Sequence, residues 1–336
     1  MRHIAVLYTG GTIGMVSGPH GFGPSATLVQ QIDSWISRRE QLGTHKIRVE
    51  CIEPLIDSAA ASPKAWFNLA ERLWSTQDLV DGVVILHGTD TLAYTSSALS
   101  FLMTGFNRPI VLTGAQIPFS QPGSDSEANT MGAIACALDP RIREVCVFFG
   151  SRLMRGNRVR KWSTDAADGF LSPHWPVLAT FNGRLNVDEA ALLDGAASRA
   201  PQPQAGPDIS VGLVKMYPGL SAELLTAAAM AHPDGLVLEL YGRGTADCSR
   251  PALGAALERI TSDGTPLVGV SQCFRGEVDF DFYDASRTLA ERGIICGRDL
   301  TSEAALTKLA YLRSVGTSRD RISADLRRPI AGEVSL

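Results

Sequence analysis

Two short stretches combine a threonine hydroxyl with glycine at the end of an apolar run. Thr9-Gly10-Gly11-Thr12-Ile13-Gly14 follows Ile4-Ala5-Val6-Leu7-Tyr8, and His87-Gly88-Thr89-Asp90-Thr91 follows Val83-Val84-Ile85-Leu86. An apolar, β-rich run that stops at glycine reads as a central strand ending in a tight turn, which presents the next side chain at the strand's C-terminal edge. Open α/β sheets bind their ligands at that edge. A threonine hydroxyl is a weak nucleophile and needs a base or proton acceptor close by. Thr12, Thr89 and Asp90 would supply two hydroxyls and a carboxylate to one site if their strands are neighbours. The plainer readings are an ordinary strand-to-loop turn at Gly10-Gly11, and helix capping by Asp90 or Thr91. Capping would account for one of those two residues and leaves Thr89 unexplained.

The elements that must carry these loops alternate between apolar strands and helical patterns. Strands are expected at Ile4 to Tyr8, Ile47 to Ile52, Asp81 to Leu86, Pro109 to Thr113 and Glu144 to Phe149. Helices are expected from about Leu28 to Arg39, from Pro63 through Leu73, from the Asp90 turn to Met103, and from about Ser126 to Leu138. Such alternation predicts a mostly parallel sheet covered by helices. The glycine and proline segment from Ser17 to Pro24 reads as an irregular flap or a plain connection. The basic stretch from Ser151 to Asp168 reads as a solvated face. An Ala-, Pro-, Gly- and Gln-rich stretch marks a linker at 191–208, between an N-terminal α/β domain at 1–190 with both threonines and a smaller C-terminal α/β domain at 209–336.

The chain has 336 residues, with 31 Lys and Arg against 35 Asp and Glu, a formal net charge of -4 and no basic block. Neither nucleic acid nor an anionic membrane is expected as a partner, which leaves a small molecule. The six cysteines, Cys51, Cys136, Cys146, Cys248, Cys273 and Cys296, lie far apart without a Cys-x-x-Cys pair and read as buried thiols. The histidines show no metal spacing. The first strand starts within three residues of the N-terminus, no signal-peptide pattern precedes it, and no apolar run is long enough to span a bilayer, so a cytoplasmic protein is expected.

The paired threonine motifs resemble the two signatures of the bacterial-type L-asparaginase family. The resemblance extends to Asp57-Ser58, Thr113-Gly114-Ala115-Gln116-Ile117-Pro118, Gly156-Asn157-Arg158 leading to Lys161, and Tyr241-Gly242. With Ala305-Leu306-Thr307-Lys308-Leu309 it is most similar to the cytoplasmic, type I branch. The resemblance implies hydrolysis of the side-chain amide of L-asparagine to L-aspartate and ammonia, without metal or cofactor, by a homodimer or homotetramer. Thr12 would be the nucleophile; Thr89, Asp90 and Lys161 would orient water and move protons. Gly11, Asp57, Ser58, Gly88, Ala115 and Gln116 would contact the substrate, with Asp90 helping to hold its ammonium. Backbone N–H groups at strand-to-helix turns can stabilise the tetrahedral oxyanion. Lys161 is left between proton transfer and electrostatic support, because burial favours its neutral form and a carboxylate its charged form.

The chain departs from the family's pattern in places. Phe22 stands where relatives have a loop tyrosine, Ala60 where many have Asp, and Thr245 where an Asn is usual. Some type I relatives bind a second asparagine near Cys273 and an arginine just before the Tyr-Gly pair; here that position is Glu239. The competing readings are a phosphate-binding loop at Gly10-Gly11, a tRNA-dependent amidotransferase subunit, and a non-catalytic or altered-specificity homologue that binds an amide or amino acid. No Gly-Lys-Ser/Thr follows the glycines. The amidotransferase would need an extra N-terminal domain and a basic surface.

Overall fold

The computed structural model describes residues 1–18, 21–55, 57–195, 197–203, 208–247 and 250–335, with the side chains of Phe22, Pro24 and Gln41 outside that description. The chain divides into two compact units, Met1–Ala200 and Pro201–Leu336. In the first, chain order runs β1 (His3–Tyr8), β2 (Met15–Gly18), β3 (Gly21–Pro24), α1 (Thr27–Ser37), β4 (Lys46–Cys51), α2 (Pro63–Ser75), β5 (Gly82–Leu86) and α3 (Leu92–Leu102). It continues with β6 (Ile110–Thr113), α4 (Ser126–Ala137), β7 (Val145–Phe149), β8 (Arg152–Arg155), β9 (Arg160–Lys161), β10 (Phe170–Leu171), β11 (Ala179–Phe181) and β12 (Leu185–Val187).

Eight strands form one sheet in the order β12-β11-β8-β7-β6-β5-β1-β4. The block from β7 to β4 is parallel, whereas β8, β11 and β12 add on antiparallel. β1 and β5 are direct neighbours, with Tyr8 opposite Leu86, so both glycine loops leave the sheet at the same level. All of β5, β6 and β7 is buried, as expected of parallel strands covered on both faces. Helix α3 is buried nearly all round, from Leu92 and Ala93 to Phe101 and Leu102, which suits a helix inside the unit rather than on its surface.

The second unit holds a parallel sheet of β13 (Val211–Lys215), β14 (Gly235–Leu240), β15 (Leu267–Ser271) and β16 (Ile295–Cys296) in sequential order. Its helices are α5 (Ala222–Ala231), α6 (Pro251–Ser262), α7 (Asp284–Glu291), α8 (Ser302–Ser314) and α9 (Arg319–Arg327). Thr301 caps α8 by accepting from Ala304 N–H, the usual way an orphan helix donor is satisfied. Lys308 on α8 is fully buried, pairs with Glu333 and donates to the carbonyls of Leu326 and Arg328. This pins the C-terminal segment to the helix.

Several sequence expectations need correction. The basic stretch is not a solvated face: Arg155 and Arg158 are buried. Arg155 Nε donates to Glu144 at 2.6 Å and Nη2 to the Ala191 carbonyl at 2.9 Å, and its guanidinium lies 4.6 Å from the Trp175 ring centroid. A buried guanidinium is tolerated when a carboxylate and a carbonyl meet its donors, and a charge count cannot foresee that. The Ser17 to Pro24 segment is not irregular where described; Ser17 pairs with Phe22 and Gly18 with Gly21 in a β2–β3 hairpin, Pro19 and His20 lying outside the described residues. Of the cysteines, Cys136 and Cys146 are buried and Cys51 and Cys296 half-buried, but Cys273 is exposed; Cys248 lies outside the description. The antiparallel strands are too short to show a period, and α9 buries only Ile322 and Leu326, too few for a readable stripe.

Candidate active site

The two glycine loops meet backbone to backbone. Gly10 and Gly11 have φ of 122° and 91°, the region where glycine is free and other residues are strained. A Cβ on Gly11 would sit 2.1 Å from Gly88 Cα, and one on Gly88 would sit 2.3 Å from Ser58 Oγ. Three loops, those after β1, β4 and β5, are thereby closed onto one another. Thr9 strengthens the seam, its N–H and hydroxyl both donating to the Leu86 carbonyl at 3.0 Å. Thr12 opens a short 3-10 turn, Thr12–Gly14, and is half-buried beside this seam. Ser58 is buried, while Asp57 is exposed and accepts from Ala59 N–H at 3.2 Å. Thr91 stands at the N-cap position of α3, but its hydroxyl donates to the Ser58 carbonyl at 2.8 Å and neither it nor Asp90 caps the helix. The capping reading of this motif is therefore wrong.

The second threonine sits in a charged network. Thr89 is 5% exposed, and Lys161 Nζ donates to its Oγ1 at 2.9 Å and to Asp90 Oδ1 at 2.8 Å. Lys161 belongs to β9 and is delivered by the buried turn Gly156–Arg158, whose Gly156 carbonyl accepts from Ser96 on α3 at 2.8 Å. A Cβ on Gly156 would approach the Val145 carbonyl to 2.9 Å, so this turn lies flat against the sheet. The Asp90 side chain is 63% exposed, and such a pair contributes at most about 1 kcal/mol to stability. Its consequence is geometric: the ammonium is held on the Thr89 hydroxyl.

The loop after β6 completes the constellation. Gly114 abuts the Thr89 loop, since a Cβ there would lie 2.5 Å from the His87 carbonyl and 3.4 Å from Thr89 Cγ2. Ala115 is fully buried. Gln116 N–H donates to both carboxylate oxygens of Asp125 at 3.1 Å, and Ile117 N–H to one of them at 3.1 Å. Asn129 donates to the Gly114 carbonyl and to Asp125, both at 3.0 Å. Asp125 and Asn129 escaped the sequence reading, because Ser124-Asp125-Ser126 looks like an ordinary helix start. The Asp125 carboxylate turns away from that role and grips the loop. Gln116 extends its side chain to the Ala166 carbonyl at 3.1 Å.

His87 lies directly beneath. Its Nδ1 is 2.8 Å from the Gly88 carbonyl and Nε2 is 3.1 Å from Thr95 Oγ1. A carbonyl only accepts, so Nδ1 carries the proton and Nε2 of the neutral ring accepts from Thr95. Burial lowers the imidazole's affinity for a second proton, and the Gly88 bond offsets this in part. The unfolded chain therefore binds a proton near its ordinary value of about 6.5 that the folded chain refuses, and stability falls as pH drops through that value. His87→Gln is expected to flatten the fall in unfolding free energy between pH 7 and 5.5, by up to about 1.4 kcal/mol per pH unit, as measured by denaturant titration at each pH. An identical pH slope in the variant would show that the folded ring takes up its proton as readily as the unfolded one.

Tyr8 is buried under Gly14, whose Cβ would meet Tyr8 Oη at 2.2 Å. Burial, followed by the neighbouring Cys51, pushes its phenol up to about 12, which keeps it protonated at neutral pH. A cavity of about 140 Å³ behind the loops has Thr9, Ser58, His87 and Thr95 on its wall. Among the described residues no group of three or more His, Cys, Asp or Glu could hold a metal ion. In the second unit Tyr241 and Thr245 close a tight turn, Tyr241 N–H donating to the Thr245 carbonyl at 2.9 Å.

The chain is similar to known proteins along its length. A family model described as Asparaginase, N-terminal, matches residues 3–192, and one described as Glutaminase/Asparaginase C-terminal domain matches residues 210–324. L-asparaginase 1 of Escherichia coli (strain K12) is 35% identical over 340 residues, spanning 99% of this chain and 98% of its own. L-asparaginase of Thermococcus kodakarensis is 35% identical over 339 residues, spanning 99% of both. Among solved structures, L-asparaginase I from Vibrio cholerae superposes with a TM-score of 0.88 at 34% identity, covering 100% of this chain and 99% of that one. The thermostable L-asparaginase from Thermococcus kodakarensis gives 0.87 at 33% identity, covering 99% of each.

Proposed function

Because the chain belongs to the asparaginase family of amidohydrolases, we propose that it hydrolyses the side-chain amide of L-asparagine through an acyl-enzyme on Thr12. The hydroxyl oxygen of Thr12 attacks the amide carbon, the C–N bond breaks, and ammonia leaves with the proton given up by the hydroxyl. Water then attacks the ester, aspartate departs, and Thr12 regains its proton. Thr89 is assigned to the water. One lone pair of its Oγ1 is taken by Lys161, which leaves the other to accept from the attacking water while the hydroxyl passes its own hydrogen on toward the departing Thr12 oxygen, so that in net terms the water's proton ends on Thr12. Asp90 holds Lys161 in place. The exposed carboxylates of Asp57 and Asp90 suit the substrate's ammonium, and Ser58 with the Gly88 and Gly11 backbones suits its carboxylate. Loop N–H groups would meet the oxyanion, ordinarily the largest catalytic contribution. The steps draw on side chains and backbone alone.

The observation that carries this reading is the Gly11–Gly88 contact, which sets the Thr12 loop against a threonine already bonded to Lys161. The test is ammonia release from L-asparagine, L-glutamine and their D-isomers, with mass spectrometry of quenched enzyme for an aspartyl adduct on Thr12. No ammonia from any of them, with asparagine binding retained in calorimetry, would replace this reading by that of a non-catalytic binding homologue. Phe22 is the residue that favours this second reading, since it lacks the hydroxyl of the loop tyrosine.

We assign the protein to the cytoplasm as a homodimer or homotetramer. No helix of the described residues is long and apolar enough to cross a membrane. Phe282 and Tyr283, edge to face at 4.7 Å, stand about half exposed, as aromatic anchors of an interface often do. Glu239, where some relatives bind an effector, is buried and accepts the Ser302 hydroxyl at the first turn of α8. Its own carboxylate thus takes the helix end that would favour an anionic ligand. The rate is expected to depend hyperbolically on asparagine at neutral pH, with a Hill coefficient of one. A coefficient clearly above one, lost on changing Cys273 while kcat survives, would refute this.

A further inference from the structure

The hairpin that carries Lys161 is too small to hold itself. β9 and β10 pair through only two rungs, Lys161 with Phe170 and Arg160 with Leu171, and an isolated two-stranded hairpin is marginal in water even when longer. Its connecting loop has a few bonds of its own, Trp162 N–H to the Gly169 carbonyl at 3.0 Å, Trp162 Nε1–H to the Asp168 carbonyl at 2.7 Å and Ala166 N–H to Ser163 Oγ at 3.1 Å, and is further held from outside. Gln116 Nε2 donates to the Ala166 carbonyl at 3.1 Å and to that of Ser163 at 3.5 Å. The loop has closed around this amide, since a Cβ on Gly169 would lie 2.4 Å from Gln116 Nε2. Gln116 is itself anchored, its N–H on Asp125. Asn129 ties Asp125 to the Gly114 carbonyl and accepts Gly150 N–H at 3.3 Å. Gly150 in turn packs against the far end of the hairpin loop, where its Cβ would meet Asp168 Cα at 2.8 Å. The contacts form a ring from the β6 loop through α4 and Gly150 to the Lys161 hairpin and back through Gln116.

We propose that Gln116 is a positioning residue for Lys161: its carboxamide fixes the 162–169 loop and so sets the Lys161 ammonium on Thr89 and Asp90. With its amide hydrogens directed to carbonyls of its own chain, the carboxamide has no donor left for a substrate and only its oxygen as an acceptor. This departs from the direct substrate contact that the resemblance implies for Gln116, and its kinetic arm rests on the proposed amide hydrolysis.

Gln116→Met keeps the side chain's length and removes the donor. The expected result is a fall in kcat of about tenfold with KM for asparagine within about twofold, the pattern of an interaction realised in the transition state only. Amide hydrogen exchange of 160–171 should quicken while that of β1 and β5 stays unchanged, reporting local opening. Gly169→Ala, which crowds the same amide from the other side, should reproduce both effects. A raised KM with kcat unchanged would overturn the proposal in favour of direct substrate contact. Unchanged exchange at 160–171 in both folded variants would overturn it whatever the kinetics. The exchange measurement needs no turnover, so it stands even if wild-type enzyme releases no ammonia and the functional reading fails alone.

Discussion

Thr12→Ala and Thr89→Val should each lower kcat by about a hundredfold or more, equivalent to about 2.7 kcal/mol of transition-state stabilisation. The reasons differ. Thr12→Ala removes the oxygen that must become the ester, from a half-buried side chain at the start of a short turn, and little packing goes with it. Thr89→Val keeps the shape of a side chain that is 5% exposed and removes the acceptor of the Lys161 hydrogen bond. Lys161 then retains Asp90, so the fold survives while the water loses its hydroxyl. Thr12→Ser should keep measurable activity because it keeps the nucleophile. Steady-state ammonia release, with circular dichroism to verify folding, checks all three. Near-normal turnover by folded Thr12→Ala or Thr89→Val would mean that the chemistry lies elsewhere.

Gly11→Ala should be more damaging than its single added methyl suggests. The new Cβ would need to occupy space 2.1 Å from Gly88 Cα and 2.3 Å from Gly88 N, and both are backbone atoms that no rotamer change can move. The residue also holds φ at 91°, where a side chain is strained by about 1 kcal/mol or more. Adding overpacking of about 1–3 kcal/mol, the variant should lose at least about 2 kcal/mol of stability. If it folds, the Thr12 loop must part from the Thr89 loop, and kcat should fall by about a hundredfold or more, as for removal of either hydroxyl. Thermal unfolding and the ammonia assay together test this. Gly23→Ala is the control: it has nothing within 4 Å of its Cβ and should leave both measurements near wild type. Full activity in Gly11→Ala would show that the two loops need not touch.

The parts of this protein that could be read from its residues are those set by local physics. Continuous apolar runs at Ile4 to Tyr8 and Val83 to Leu86 have nowhere to go but a buried strand, and glycine after each permits the turn that follows. Pro63 and Pro251 open the helices α2 and α6 as their missing N–H allows. The pairing of two threonine motifs carried the family and the candidate residues with it. Lys161, Asp90 and Thr89 were named together through that resemblance, but nothing local brings a lysine to a threonine some seventy residues away. That contact depends on the strand order β7-β6-β5-β1 and on a buried turn against α3.

The same limit explains the errors. Whether Arg155 and Arg158 face water depends on Glu144, the Ala191 carbonyl and Trp175, which reach them only in the folded chain. Thr91 had a local role open to it as a cap and took a distant partner in Ser58; Gln116 likewise met Ala166 instead of open solvent. Sequence by itself determined most element types, because hydrophobic periodicity and glycine placement act over a few residues, and the family, through the resemblance carried by the paired threonine motifs. Tertiary structure alone decided which loops touch, which charges are buried and which polar groups are spent on positioning, because those depend on strand adjacency and on partners that the chain supplies only when the sheet has closed.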